Sequence, residues 1–173
     1  MCKSKLIFLD IDGVVNTLMI DTKPFDYKNR SSIERDGFYY DLCHGSDGRV
    51  SNRQAVMWLN KLCKETKAKI VISSTWRYSY SCEEIKKCLV NTGLLPEIQI
   101  IGQTPDLRYR TEFFRGDEIR RYLEEWYPEG WPAFVILDDD ADMLELVDHL
   151  VQTNTDRGFG YPDYLKAIQI LGK

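Results

Sequence analysis

Histidine is scarce in this 173-residue sequence, occurring only as His44 and His149. Neither has a carboxylate or serine partner at a readable spacing, so both are expected to be structural. The five cysteines (2, 43, 63, 82 and 88) are odd in number and include no Cys-x-x-Cys pair. A structural zinc site therefore has no support, and the expectation is reduced, mostly buried thiols in a cytoplasmic protein. Long apolar runs are also missing. The run Leu6 to Leu9 behind a positive N-terminus is stopped by Asp10, which is too short for a signal peptide. No window approaches the ~20 apolar residues of a spanning helix, so no membrane partner is expected. There is no repeat, low-complexity tract or Pro/Gly/Ser linker to mark a domain boundary. Neither sign of charge dominates: 27 acidic residues face 23 basic ones, a net charge of -4. That excludes a bulk polyelectrolyte role and leaves nucleic acid only a local basic patch to bind.

What is present is an ordinary globular composition, 43% hydrophobic and 29% charged. A chain of this length buries roughly 70 per cent of its unfolded surface, enough for one compact domain over residues 1–173. Short apolar runs alternate with helical patterns. Leu6–Leu9, Ile70–Ile72 and Ala133–Leu137 read as buried strands, Ile98–Ile101 as a short strand and Leu150–Val151 as a last one. Asn52 caps a helix with Ala55, Leu59, Leu62 and Cys63 on one face. Further helices are expected over Ser81–Asn91, Asp117–Tyr127 and Tyr161–Leu171, with a short one around Met143–Val147. Continuous apolar strands between helices imply a parallel sheet covered on both faces, a Rossmann-like α/β fold. Residues 17–51, rich in Gly, Pro and aromatics, read as turns and a hairpin inserted after the first strand, a small flap and not a large cap. Such an insertion overhangs the carboxyl edge of the sheet, where ligands bind in open α/β folds.

Three strands end in polar residues of particular kinds: Asp10-Ile11-Asp12-Gly13, Ser73-Ser74-Thr75 and Asp138-Asp139-Asp140. In a parallel sheet these ends share one edge. Carboxylates gathered there repel unless a cation sits among them, and oxygen ligands without histidine or thiolate point to Mg²⁺. A divalent ion beside Asp, a hydroxyl and an Arg is a phosphoryl-transfer arrangement. The hydroxyl is Ser73, or Ser74 or Thr75 if the strand ends one residue later. Asp140 and Asp142 read as a helix cap and first-turn acid. Arg108-Tyr109-Arg110 is a basic-aromatic pattern able to grip a phosphodiester strand, or an ordinary exposed loop. The four tryptophans read as core or rim; Trp76, between Ser73 and Arg77, stands at the proposed pocket.

These segments resemble the haloacid dehalogenase (HAD) superfamily. Asp-x-Asp-Gly-Val after a strand is similar to its motif I, Ile-Val-Ile-Ser (70–73) to motif II, and Phe-Val-Ile-Leu-Asp-Asp (134–139) to motif IV. The resemblance implies that Asp10 is a nucleophile forming an aspartyl phosphate and that Asp12 is the general acid and base. It implies that Gly13 permits the turn between them and that Ser73 binds a phosphoryl oxygen. Asp138 and Asp139 would hold Mg²⁺ with the Asp10 carboxylate and the Asp12 main-chain carbonyl. The superfamily's motif III lysine has no counterpart, because no Lys occurs between Lys87 and Lys166. Arg115, just before the Gly116-Asp117-Glu118 that opens the helix ahead of motif IV, is best placed to replace it; Arg77, Arg108, Arg110, Arg120 and Arg121 also lie in the interval. Ser-Ser-Thr-Trp-Arg, Ile-Gly-Gln-Thr-Pro, Arg-Gly-Asp-Glu-Ile and Leu-Asp-Asp-Asp look like the small HAD domains linked to RNA-repair proteins. In that company Arg77, with Ser74, would bind the substrate phosphate. The activity implied is phosphomonoester hydrolysis of a phosphorylated substrate, a nucleic-acid end among the candidates. The alternatives are a small-metabolite phosphatase or a non-catalytic phosphate-binding module.

Overall fold

The computed structural model describes residues 5–17, 50–110 and 112–172. Most of the 17–51 flap lies outside the described residues, as do His44, Cys2 and Cys43. Its two described ends, β2 (Asn16–Thr17) and β3 (Val50–Ser51), pair antiparallel, Asn16 opposite Ser51 and Thr17 opposite Val50.

The chain otherwise alternates as its hydrophobic pattern requires. After β1 (Leu6–Leu9) and the β2–β3 pair come α1 (Arg53–Thr66), β4 (Lys69–Ile72), a four-residue 3₁₀ turn (Thr75–Tyr78), α2 (Cys82–Asn91) and β5 (Ile100–Gln103). Then follow α3 (Arg115–Trp126), β6 (Phe134–Asp138), a 3₁₀ helix (Leu144–His149), β7 (Leu150–Gln152) and α4 (Tyr161–Leu171). Five strands form one parallel sheet in the order β5-β4-β1-β6-β7. This is the Rossmann-like α/β architecture.

Side-chain alternation along the strands explains their continuous apolarity. Ile7, Leu9, Ile70, Ile72, Val135 and Leu137 face one core with Leu59 of α1, Ile85 and Leu89 of α2, and Ile168 of α4. Leu6, Phe8, Val71, Phe134 and Ile136 face the other, against Ile119, Tyr122 and Leu123 of α3. There Phe8 meets Tyr122 and Phe134 edge-on, with centroids 5.7 Å apart in both pairs. His149 is stacked on Phe134 at 3.9 Å and faces its carbonyl through Nδ1, a structural role. No disulfide joins the described cysteines 63, 82 and 88. No helix among the described residues is long and apolar enough to cross a membrane.

Asn52 caps α1 as its chemistry dictates, its side chain accepting from the N–H groups of Gln54 and Ala55 at 3.1 Å. It also donates to the Arg157 carbonyl at 3.0 Å, tying the base of the insertion to the β7–α4 connection. Several boundaries differ from those expected. β5 runs over Ile100–Gln103, because Ile98 is held in a turn by its N–H bond to the Leu95 carbonyl. α3 begins two residues early, at Arg115. The helix before β7 is 3₁₀ and starts at Leu144, with φ of +51°; the chain enters β7 directly at Leu150.

Candidate active site

The carboxyl ends of β4, β1 and β6 are neighbours, so their polar termini meet. Asp10 follows β1 and is anchored through its N–H to the Leu137 carbonyl at 2.9 Å. Ser73 follows β4, its N–H bonded to the Leu9 carbonyl at 2.9 Å. Asp138 ends β6, and its Oδ1 accepts from the Asp140 N–H at 3.0 Å.

Asp10, Asp138 and Asp139 each offer an oxygen within 4.8 Å of the others, a set able to hold a cation. The Asp12 carboxylate is not among them; the expected contribution of that residue was its main-chain carbonyl. Gly13 brings motif I against motif IV. Its φ is +78°, and a Cβ there would stand 2.2 Å from Asp139 Oδ2, so only glycine fits both the turn and the approach. The turn is further pinned by Thr153, whose hydroxyl donates to the Gly13 carbonyl at 2.8 Å.

Arg115 reaches over the same edge. Nη1 lies 3.7 Å from Asp10 Oδ1 and Nε 3.7 Å from Asp138 Oδ2, distances of charge attraction without a hydrogen bond. It is delivered by a tight helix start: Asp142 accepts from the Arg115 N–H at 3.0 Å, and the Gly116 N–H bonds the Asp142 carbonyl at 3.1 Å. Asp142 thus caps α3, the helix packed beside it in space. Arg120 serves elsewhere, paired with Asp117 and Glu145.

The electrostatics follow from this crowding. Burial pushes the Asp10 carboxyl well above its usual range; Asp138 and Asp12 add to the rise, and Arg115 and a hydrogen bond from Ser74 oppose it. Asp138 is pushed up to about 7, chiefly by burial, with Arg115 opposing. For Arg115, burial disfavours the charge, but Asp10 and Asp138 more than offset it and its pKa rises. Among the described residues three buried polar atoms here lack any hydrogen-bond partner: Ser73 Oγ, Arg115 Nη1 and Asp138 Oδ2. Buried groups normally find partners, so these three mark where a ligand would complete the site. An anion fits the first two and a cation the third.

Both motif II serines are fully buried, but differently engaged: the Ser74 Oγ accepts from the Trp76 N–H at 3.4 Å, while the Ser73 hydroxyl has no hydrogen-bond partner among the described residues. The expectation that Arg77 binds substrate phosphate is corrected by its contacts. Nε donates to the Thr104 carbonyl (3.1 Å), Nη1 to the Ser73 and Ser74 carbonyls (both 2.6 Å), and Nη2 to the Tyr78 hydroxyl (2.9 Å) and to Glu118. All five N–H groups are committed, leaving none for a phosphate. Arg77 instead braces the motif II turn against α3 through an ion pair whose two side chains are each only 1% exposed.

Two participants were not assigned from the sequence. Glu118 lies one turn beyond Arg115, on the buried face with Ile119 and Tyr122. An acid recurring at core spacing was the available signal. Trp76, placed near the pocket but given no role, donates from its indole Nε1 to Asp12 Oδ2 at 2.8 Å.

Comparison with curated proteins and with solved structures gives no match. The family model described as HAD domain in Swiss Army Knife RNA repair proteins matches residues 6–164, from the first residue of β1 into α4 and across every strand end described above. The chain therefore belongs to the HAD superfamily, in the family of HAD domains found in Swiss Army Knife RNA repair proteins.

Proposed function

We propose that this chain is a Mg²⁺-dependent phosphomonoester hydrolase working through an aspartyl phosphate on Asp10. The observation that carries the reading is the meeting of an anion seat and a cation seat on one buried carboxylate. Asp10 faces Arg115 on one side and belongs to the Asp10–Asp138–Asp139 set on the other. Hard carboxylate oxygens suit Mg²⁺, and the unpartnered Asp138 Oδ2 fits such an ion. When bound, Mg²⁺ would offset phosphoryl charge and favour the ionised form of Asp10.

In this reading a carboxylate oxygen of Asp10 attacks phosphorus in line, and the bond from phosphorus to the leaving oxygen breaks. Asp12 gives that oxygen its proton. Arg115 and the Ser73 hydroxyl hold the non-bridging oxygens, the arginine supplying the charge that the missing lysine would have carried. Water then attacks the phosphorus of the aspartyl phosphate and Asp12 takes its proton. Inorganic phosphate leaves and the Asp10 carboxylate is restored.

For the substrate we favour a nucleic-acid end phosphate. The family description supports it, since it refers to RNA repair proteins. So does the surface before Arg115: Tyr109 is 78% exposed, and Phe113 and Phe114 are also exposed, faces on which bases can stack. Arg110 makes no ion pair among the described residues, whereas Arg108 is paired with Asp106 and lies over the Tyr78 ring. A cytoplasmic location is part of the same reading.

The test is phosphate release with and without Mg²⁺, from 5′- and 3′-phosphorylated oligonucleotides and from small phosphate esters. The expected result is Mg²⁺-dependent turnover that Asp10→Asn abolishes, with oligonucleotide ends preferred. Turnover that survives Asp10→Asn overturns the mechanism, and a preference for small esters overturns the substrate class.

A further inference from the structure

Asp12 leaves the sheet on the Gly13 turn. Among the described residues two groups bond its carboxylate: Trp76 Nε1 on Oδ2 at 2.8 Å, and Asn16 Nδ2 on Oδ1 at 3.5 Å, the outer limit of a hydrogen bond. The indole is itself fixed. It sits on the four-residue 3₁₀ turn that follows Ser74, packs against the core below α1 and α2, and lies beside Tyr80 with ring centroids 6.2 Å apart. The Trp76 backbone N–H meets the Ser74 Oγ at 3.4 Å. The neighbouring Arg77 clamps the carbonyls of Ser73 and Ser74.

We propose that Trp76 is a positioning residue for the acid step: its indole N–H selects the Asp12 oxygen that carries the transferable proton. The inference rests on the reading of Asp12 as the general acid. An indole N–H donates and never accepts. An Asp12 protonated on Oδ2 would set two hydrogens against each other, so while the 2.8 Å bond persists the proton must reside on Oδ1. Among the described residues Oδ1 has only the long Asn16 contact, which leaves its hydrogen able to turn to a leaving group. The same short turn therefore orients the Asp12 carboxylate through the Trp76 indole and is itself held by Arg77. The adjacency of Trp76 and Arg77 then has a physical reason: the indole orients Asp12, and the arginine holds the turn.

A general acid matters in proportion to the basicity of the group it protonates. Loss of the indole N–H should therefore harm esters of alcohols and spare esters of acidic phenols. A merely structural defect would harm both alike. The experiment compares kcat/KM for a primary alkyl phosphate and for p-nitrophenyl phosphate in the wild type, Asp12→Asn and Trp76→Phe. A second Trp76 replacement, by the isosteric benzothienylalanine, keeps the bulk of the ring and lacks only the N–H.

In both Trp76 variants kcat/KM should fall about 10-fold or more on the alkyl ester and within about 2-fold on the nitrophenyl ester. Asp12→Asn should show the same pattern more strongly. Equal losses on the two esters, or an unchanged alkyl rate in the benzothienyl variant, overturn the proposal while Asp12→Asn still discriminates. If Asp12→Asn does not discriminate, the underlying reading of Asp12 fails, and the proposal with it.

Discussion

A buried guanidinium needs an acceptor for each of its five N–H groups, and Arg77 obtains three of them from main-chain carbonyls at 73, 74 and 104. Its charge is balanced by Glu118, which also accepts from the Tyr78 hydroxyl at 3.0 Å and from the Leu107 N–H at 3.3 Å. Removing one member of a buried pair strands the other. Glu118→Gln should cost about 3–5 kcal/mol, about 10 °C in Tm for a chain of this size, read by thermal denaturation. The proximity of Arg77 to Ser73 was legible from their spacing, but its expected phosphate role came from the family resemblance. Its actual partner lies 41 residues away and is specified by how α3 packs, which no local pattern encodes.

At the scale of elements, the start of α3 decides where Arg115 points. Phe114, at the N-cap, has no capping side chain; the cap is Asp142, 27 residues on in the chain. The sequence therefore placed the start at Asp117, and the structure moves it to Arg115. Gly116 allows the contact, since a Cβ there would lie 2.3 Å from the Met143 carbonyl oxygen. Main chain on both sides leaves no flexible group to yield, so Gly116→Ala should shift α3 and carry Arg115 from Asp10. The expected outcome is about 1–3 kcal/mol of lost stability and, under the proposed function, a fall of about 10-fold or more in kcat. Gly160→Ala is the control: its Cβ would meet nothing closer than 3.7 Å, and both values should hold. The helices themselves were legible because their core faces recur at helical spacing, and α4 matched to the residue at both ends.

Across the whole molecule, the parallel sheet was legible because every strand buried on both faces is a continuous apolar run. The strand-end acids were legible because they interrupt those runs, but how strongly burial opposes their charge depends on three strands meeting. Two whole-molecule consequences can be measured. Cys63 is buried and its thiol is pushed up to about 12, chiefly by burial. Between the unfolded value of about 8.5 and that figure, the unfolded chain loses a proton the native state keeps, so stability falls as pH rises. From pH ~8.5 to ~9.5, Tm should drop about 2–4 °C more in the wild type than in Cys63→Ala. Asp138 gives the opposite kind of effect, because its buried charge stands beside Asp10 and Asp139, one of its oxygens has no hydrogen bond among the described residues, and Arg115 only partly offsets the burial. Without a cation, Asp138→Asn removes one source of repulsion and keeps an acceptor for the Asp140 N–H, so in EDTA its Tm should exceed that of the wild type by about 2–4 °C. With Mg²⁺ at about 100 times its Kd the wild type should gain about 2.7 kcal/mol and the variant almost nothing, reversing the order of the two melting curves. A variant less stable than the wild type in EDTA, or one that keeps the Mg²⁺ shift, would show that Asp138 is a structural carboxylate and that the cation, if bound, sits elsewhere.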